Sequence, residues 1–439
     1  MLKLEKGNSK LLNAWAFYDW ANSVYSLVIA SAIFPIFYGA LFSIKGSLYI
    51  NVFGATLKST ALISFVTAAA FLLVAFFSPL LSGIADFAGN KKNFMKFFCY
   101  LGALSCIALY WFSLENIYWS LLAYFLGLVG FWGSLVFYNS YLPDIAFPEQ
   151  HDAVSAKGFS LGYIGSVILL IVNLAMVMKP ELFGISGTSG EAKMIAMRYS
   201  FVSVGVWWIL FSQYTFYYLP KGNKGQKVTK SVIFNGFLEL KKVWILLGEN
   251  LKLKQFLSSF FVYGMAVQTV MIVAVYFGEQ EIQWASDSEK TSGLIISILV
   301  IQLVAILGAI ITSKASAKFG NIVTLIFLNC VWAILCVAAF FVIKPIEFYI
   351  TAGFVGLVMG GIQALSRSTY SKLLPETNDT ASFFSFYDVT EKIGIVIGML
   401  LYGIIDQVTG SPRYSIIFLC LFFISGILLL LRLRKIPNE

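Results

Sequence analysis

Apolar runs of about twenty residues, separated by short polar segments, recur along the whole chain. At 1.5 Å rise per residue a run of that length spans the roughly 30 Å hydrocarbon core of a bilayer as a helix. Twelve such runs can be read, at roughly 14–42, 60–84, 94–112, 118–139, 157–178, 199–219, 255–278, 291–313, 321–343, 347–366, 383–406 and 413–432. The pattern predicts an all-α membrane protein with twelve transmembrane helices. The longest polar segment, 220–254, separates the sixth run from the seventh. It holds Lys221, Lys224, Lys227, Lys230, Lys241, Lys242, Lys252 and Lys254 against Glu239 and Glu249.

Composition agrees. The chain is 59% hydrophobic and 12% charged, where soluble domains carry about 25% charged residues; so many apolar side chains must face lipid. The net charge of +9 does not point to nucleic acid, because the basic residues lie in short clusters between apolar runs. With the N-terminus placed in the cytoplasm, 22 Lys and Arg fall on the cytoplasmic side and 8 outside. The positive-inside rule then places both termini in the cytoplasm. The five cysteines lie within apolar runs and form no CxxC pair, so neither a disulfide framework nor redox chemistry is expected. The first apolar run, longer than a signal-peptide core, reads as an uncleaved span. Without long tails or organelle signals, a prokaryotic inner membrane is the expected location.

The chain also repeats itself. Gly89-Asn90 recurs as Gly320-Asn321, an offset of 231, and Tyr138 with Leu142-Pro143-Asp144 recurs as Tyr370 with Leu374-Pro375-Glu376, an offset of 232. Two loops with nearly one offset predict parallel halves related by an axis along the membrane normal. The expected organisation is a six-helix half over 1–219, a basic cytoplasmic loop over 220–254 and a second six-helix half over 255–439.

The loop Gly83-Ile84-Ala85-Asp86-Phe87-Ala88-Gly89-Asn90-Lys91-Lys92 resembles the loop between helices two and three of the major facilitator superfamily, Gly-x-Leu-Ala-Asp-Arg-x-Gly-Arg-Lys. The leading Gly is shifted by one and Phe87 stands for the first Arg. In that role Asp86 accepts from a helix N-terminus of the other half, Gly89 permits the turn, and Lys91 and Lys92 meet acids or anionic lipid. Together they would form a cytoplasmic gate. Ala317 stands at the Asp position of the second copy, so that gate looks degenerate.

Further stretches, AWAFYDWANSVYSLVI (14–29), FYNSYLPDIA (137–146), SAKGFSLGYIG (155–165), GGIQALSRSTYSKLLPE (360–376), FFSFYDVTEKIG (383–394) and LLYGIIDQVTGSPRYSI (400–416), are similar to one branch of the superfamily. This is the unknown major facilitator family, which includes the autophagy-related vacuolar amino-acid effluxers of fungi. The resemblance implies a twelve-helix secondary transporter with amino acids, short peptides or related small solutes as cargo. The family pattern Tyr-Asn-Val-x-Gly-Lys reads here Tyr387-Asp388-Val389-Thr390-Glu391-Lys392, with two added acids beside the lysine.

Charges inside a membrane are costly and face a cavity or a partner. Asp19, Asn22, Ser23 and Ser26 share one helical stripe; Asp19 is either a carboxylate of the cavity wall, titratable or facing solute, or a structural one paired at the cytoplasmic gate. Asp388 and Lys392 stand at i and i+4 and can pair, with Glu391 on nearly the same face; the group is either a coupling site or a neutralised pair. Tyr138, Asn139, Asn173, Gln268, Gln302, Gln363 and Arg367 are weaker candidates, and most such groups are helix–helix hydrogen bonds. Gly158, Gly162 and Ser166 read as a packing seam. The fifth helix lacks the Gly-Pro signature of antiporters, which favours proton symport or facilitated efflux. The lone His151 has no second His or Cys near it, so no metal is expected, and no cofactor. The expected partners are a small solute, the lipid bilayer and protons, with the protein acting as a monomer. A membrane enzyme would need an acid, histidine or metal constellation, and neither a Gly-x-Ser-x-Gly elbow nor a phosphate-binding loop is present. A transporter-like sensor or scaffold is the other alternative.

Overall fold

The computed structural model describes residues 4–221 and 232–436. Lys224, Lys227 and Lys230 of the central segment lie outside the described residues. The first six spans are Ser9–Lys45, Ser59–Ala88, Lys91–Trp111, Ile117–Ser140, His151–Met178 and Ser189–Tyr218. The seventh to twelfth are Leu251–Glu281, Asp287–Phe319, Asn321–Phe341, Pro345–Leu373, Thr380–Thr409 and Pro412–Arg434. Between the sets stands a linker helix, Val232–Glu249. Eleven of the helices are long and apolar enough to cross a membrane. The other, Thr380–Thr409, has 30 residues and carries Asp388, Glu391 and Lys392.

The helices extend past the apolar runs by one or two turns. Asp86, Asp152, Arg367 and Lys372, which fall in loops when only hydropathy is read, therefore sit on helices. The first span is not uniform. Tyr25–Ile33 is π-helical, ahead of Pro35, whose missing N–H cannot close the preceding turn. The segment after it adds an antiparallel hairpin, Tyr49–Val52 with Ala55–Lys58. Its tip has positive φ at Phe53 (52°) and Gly54 (79°), as a two-residue turn that follows the twist of the strands requires.

Each half has its own apolar core. In the first, Trp15, Tyr18, Tyr25, Phe37 and Trp208 are buried; in the second, Trp332 stacks on Phe423 at 5.4 Å among buried Phe256, Phe260 and Leu419. The halves meet where the second span packs on the eleventh, the fifth on the eighth and tenth, and the fourth on the eleventh. Ala156, Ala309 and Ala364 form a small buried cluster at the crossing of the fifth, eighth and tenth spans. The eighth and tenth approach through glycines, because side chains at Gly308, Gly356 and Gly360 would each run into a backbone carbonyl of the facing helix.

Gly360→Val should therefore lower stability by about 1–3 kcal/mol through overpacking, while Gly403→Val, with nothing within 4 Å of the added atom, should leave it nearly unchanged. Thermal unfolding of the two purified variants in detergent checks this.

Candidate functional site

Most of the polar contacts between the halves gather at the end of the bundle where both termini and the linker helix lie. At their centre is Arg367 of the tenth span, 3% exposed. Its Nη1 and Nη2 each donate to Asp19 Oδ2 at 3.2 Å. Nε donates to Ser155 Oγ at 2.9 Å, Nη2 to the Ser155 carbonyl at 2.9 Å, and Nη1 to Asn139 Oδ1 at 3.3 Å. The rings of Phe159, Trp15 and Tyr138 surround the guanidinium at 4.2, 4.8 and 5.5 Å, so its faces meet π-electrons while its edges meet oxygen. Tyr138 also donates its hydroxyl to Asp19 Oδ2 at 2.9 Å.

These groups come from the first, fourth and fifth spans, and they hold one side chain of the opposite half. Asp19 is about 15 Å along its helix at 1.5 Å per residue. The Asp19 carboxylate is thus paired with a cation of the opposite half. The glycine seam has a definite purpose here: a Cβ at Gly158 would lie 2.5 Å from Asp19 Oδ2 and 3.0 Å from Arg367 Nη2, so any side chain would force the pair apart. Of the stripe around Asp19, Ser23 donates to Asn22 Oδ1 and Ser26 to the Ser23 carbonyl, and the Asn22 amide nitrogen is buried without a partner.

Two further latches flank this pair. Asp86 Oδ2 accepts from the Ser382 amide and hydroxyl, both at 2.7 Å, and Oδ1 accepts from the Ala381 amide at 3.3 Å. The carboxylate thus caps the positive end of the eleventh span. Gly89, at φ 59°, closes the second span. Lys91 pairs with Asp144 and donates to Thr380 Oγ1 at 2.8 Å. Lys92 instead donates to the Leu219 carbonyl at 2.6 Å, within its own half.

In the second copy Ala317 supplies no acid, and Asp152, in the first turn of the fifth span, reaches the other way. Its Oδ2 accepts from Ser316 Oγ at 2.8 Å and Lys372 Nζ at 2.6 Å, and its Oδ1 accepts from Asn321 Nδ2 at 2.9 Å. In the first copy the carboxylate stands at the end of one helix and reaches the start of another; in the second it stands at the start.

A second charged group lies deeper, about 18 Å from the start of the eleventh span. Lys392, 1% exposed, donates to Asp388 Oδ1 at 2.7 Å and Glu391 Oε2 at 3.0 Å. Its Nζ lies 3.7 Å from the centre of the Trp132 ring, contributed by the fourth span of the other half. Gln268 of the seventh span donates to Glu391 Oε1 at 2.8 Å. Asp388 Oδ2 is buried and has no partner. Counted at ordinary ionisation, two acids and one lysine carry one excess negative charge, and a buried carboxylate oxygen left without a partner is costly.

Tyr163 donates to Gln363 Oε1 at 2.8 Å, again across the halves. Asn173 accepts from Ser203 within the first half, as a helix–helix contact would. His151 lies with Nε2 3.1 Å from the Ala146 carbonyl. Sequence reasoning passed over Asp152, Lys372, Ser155, Phe159 and Trp132. Asp152 and Lys372 could have been found by extending the helices beyond their apolar runs; the aromatic residues carry no such signal.

Twelve helices in two halves, closed on each other at one end around buried ion pairs, define a multi-pass membrane transporter of the major facilitator type. In fold the chain is similar to the Escherichia coli fucose:proton symporter FucP, at TM-score 0.68 and 16% identity over 98% of each chain. It is also similar to the proton:xylose symporter XylE, at TM-score 0.73 and 11% identity, covering 98% of this chain and 95% of that one. The chain belongs to the family described as vacuole effluxer Atg22 like, which it matches over residues 7–435. It is 32% identical to the MFS-type transporter YxiO of Bacillus subtilis over 98% of this chain and 96% of that protein. It is 25% identical to autophagy-related protein 22 of Saccharomyces cerevisiae over 77% of this chain and 71% of that one.

Arg367→Met leaves the Asp19 carboxylate buried without its cation and should cost roughly 3–5 kcal/mol. Adding Asp19→Asn should recover most of the loss. Unfolding of the two single variants and the double variant, run as a cycle, measures the coupling.

Proposed function

We propose that this protein is a secondary active transporter that carries a small polar solute, an amino acid or a short peptide, by alternating access coupled to protons. The observation that carries this reading is the buried Lys392–Asp388 pair, with the partly buried Glu391 beside it and Trp132 of the other half over it. A membrane protein keeps such charge only for a partner or a purpose. Lysine and carboxylates side by side offer complementary charge to both ends of a zwitterion. The unpartnered Asp388 oxygen is where a proton, or the ammonium of the cargo, would remove the excess negative charge.

The positive-inside count favours placing the terminal end in the cytoplasm. The conformation is then closed inward, and the Arg367, Asp86 and Asp152 contacts form the inner gate. Opening inward requires all three to part. A proton on Asp19 would release Arg367, because a neutral acid loses the charge-assisted part of the contact; its aromatic cage would hold the cation meanwhile. Among the relatives, the effluxer description of the family supports solute export from a compartment as the direction to test first.

Pools of amino acids and short peptides, applied to proteoliposomes on a solid-supported membrane with and without an inward pH gradient, should evoke a current that the gradient enlarges. Lys392→Ala should reduce that current by roughly tenfold or more, as loss of a buried charge contact worth more than about 1.4 kcal/mol would. Asp388→Asn should leave the remaining current insensitive to the gradient. Solute binding without flux in the wild type would replace the transport reading with that of a sensor.

A further inference from the structure

The linker helix Val232–Glu249 has a buried and an exposed side that do not divide by polarity. Val243 and Leu247, one turn apart, are buried; the helix packs on the second and eleventh spans. The rest of its surface exposes Leu238 by 47%, Trp244 by 63% and Ile245 by 50%, with Lys241 exposed among them. An arc turned to water would not carry three large apolar side chains so close together. An arc turned to hydrocarbon would not carry lysine. Aliphatics, a tryptophan and lysines mixed on one arc suit a helix lying in the plane of the lipid headgroups. The segment around it, 220–254, has eight lysines and two glutamates, which fits a negatively charged surface.

The place matters as much as the composition. The second and eleventh spans belong to different halves and pack on each other, and the linker helix lies on both. The Trp244 ring stands 5.5 Å from that of Phe386, and Lys242 Nζ is 2.9 Å from Asp379 Oδ2. Asp379 directly precedes the turn whose amides hold Asp86. The helix therefore bridges the line along which the halves separate, beside one of the latches.

We infer that the linker helix is a binding surface for anionic phospholipid headgroups, and that lipid held there keeps the second and eleventh spans together. Trp244 and Ile245 dip to the acyl boundary while Lys241 meets phosphate. Separating the spans takes one support from under the helix and tilts this arc out of the headgroup layer. A leaflet richer in anionic lipid then favours the closed arrangement, whether or not solute is present, so this inference stands apart from the identity of the cargo.

The test uses the full chain in nanodiscs of phosphatidylcholine, alone or mixed with phosphatidylglycerol, with bromine on the acyl chains of one lipid at a time. The Trp244 signal is the difference between wild type and Trp244→Phe. Brominated phosphatidylglycerol should quench it more than brominated phosphatidylcholine at equal mole fraction. Lys241→Gln should lower that preference roughly fivefold, the factor one lysine near an anionic surface is worth. Spin labels at Ala88→Cys and Glu376→Cys, with the native cysteines replaced, should report a larger short-distance population in the anionic discs. Equal quenching by both lipids, or a label distance independent of lipid charge, overturns the inference. So does a Trp244 signal that neither lipid quenches, which would assign this arc to water or to a soluble protein.

Discussion

One guanidinium joins the two halves of this molecule. Arg367 leaves the tenth span and ends in a box built wholly by the opposite half: a carboxylate, a serine, an asparagine and three aromatic rings. Burying such a charge is unfavourable unless nearly every donor is used, and Arg367 meets that condition only when the halves are in register. The pair adds little net stability against an apolar alternative, but it admits few other arrangements. The nearby features follow from it. Gly158 is bare so that Asp19 can reach the cation; Tyr138 turns its hydroxyl to the same oxygen; and Ser155, which binds the arginine through two atoms, also donates to the Ala364 carbonyl at 2.7 Å. A network this specific gives the closed end one defined arrangement.

Around this centre the internal repeat is kept in shape but not in chemistry. In one copy Asp86, in the last turn of the second span, caps the start of a helix of the other half; in the other copy Asp152 stands in the first turn of the fifth span and the facing helix ends bring the donors. Either arrangement places one carboxylate among amide, hydroxyl and ammonium donors between the halves. The two latches also differ in strength of charge: Asp152 has Lys372 directly on it, while Lys91 sits on Asp144 rather than on Asp86.

How much of this was legible in the chain follows from which signal each feature leaves. Twelve spans follow from the lengths of the apolar runs, and the parallel halves from two loops at one offset. Asp388 and Lys392 were readable as a pair because four residues make one helical turn. The partners across the halves were not readable, since nothing in local spacing says that Arg367 faces Asp19 or that Trp132 covers Lys392. Hydropathy also hides helix ends: it stops where polar residues begin, whereas the helix continues into the headgroup region and there carries Asp152 and Lys372. The hairpin after the first span, four residues in each strand, is too short to show a period.

The first span contains nine residues of π-helix between two α-helical rods of 16 and 12 residues. A π-turn holds more residues than an α-turn, so the rod beyond it is turned about the helix axis relative to an unbroken α-helix. The faces that the two rods present are therefore set separately: Asp19 of the first meets Arg367, while Phe34 and Phe37 of the second pack into the core of their own half.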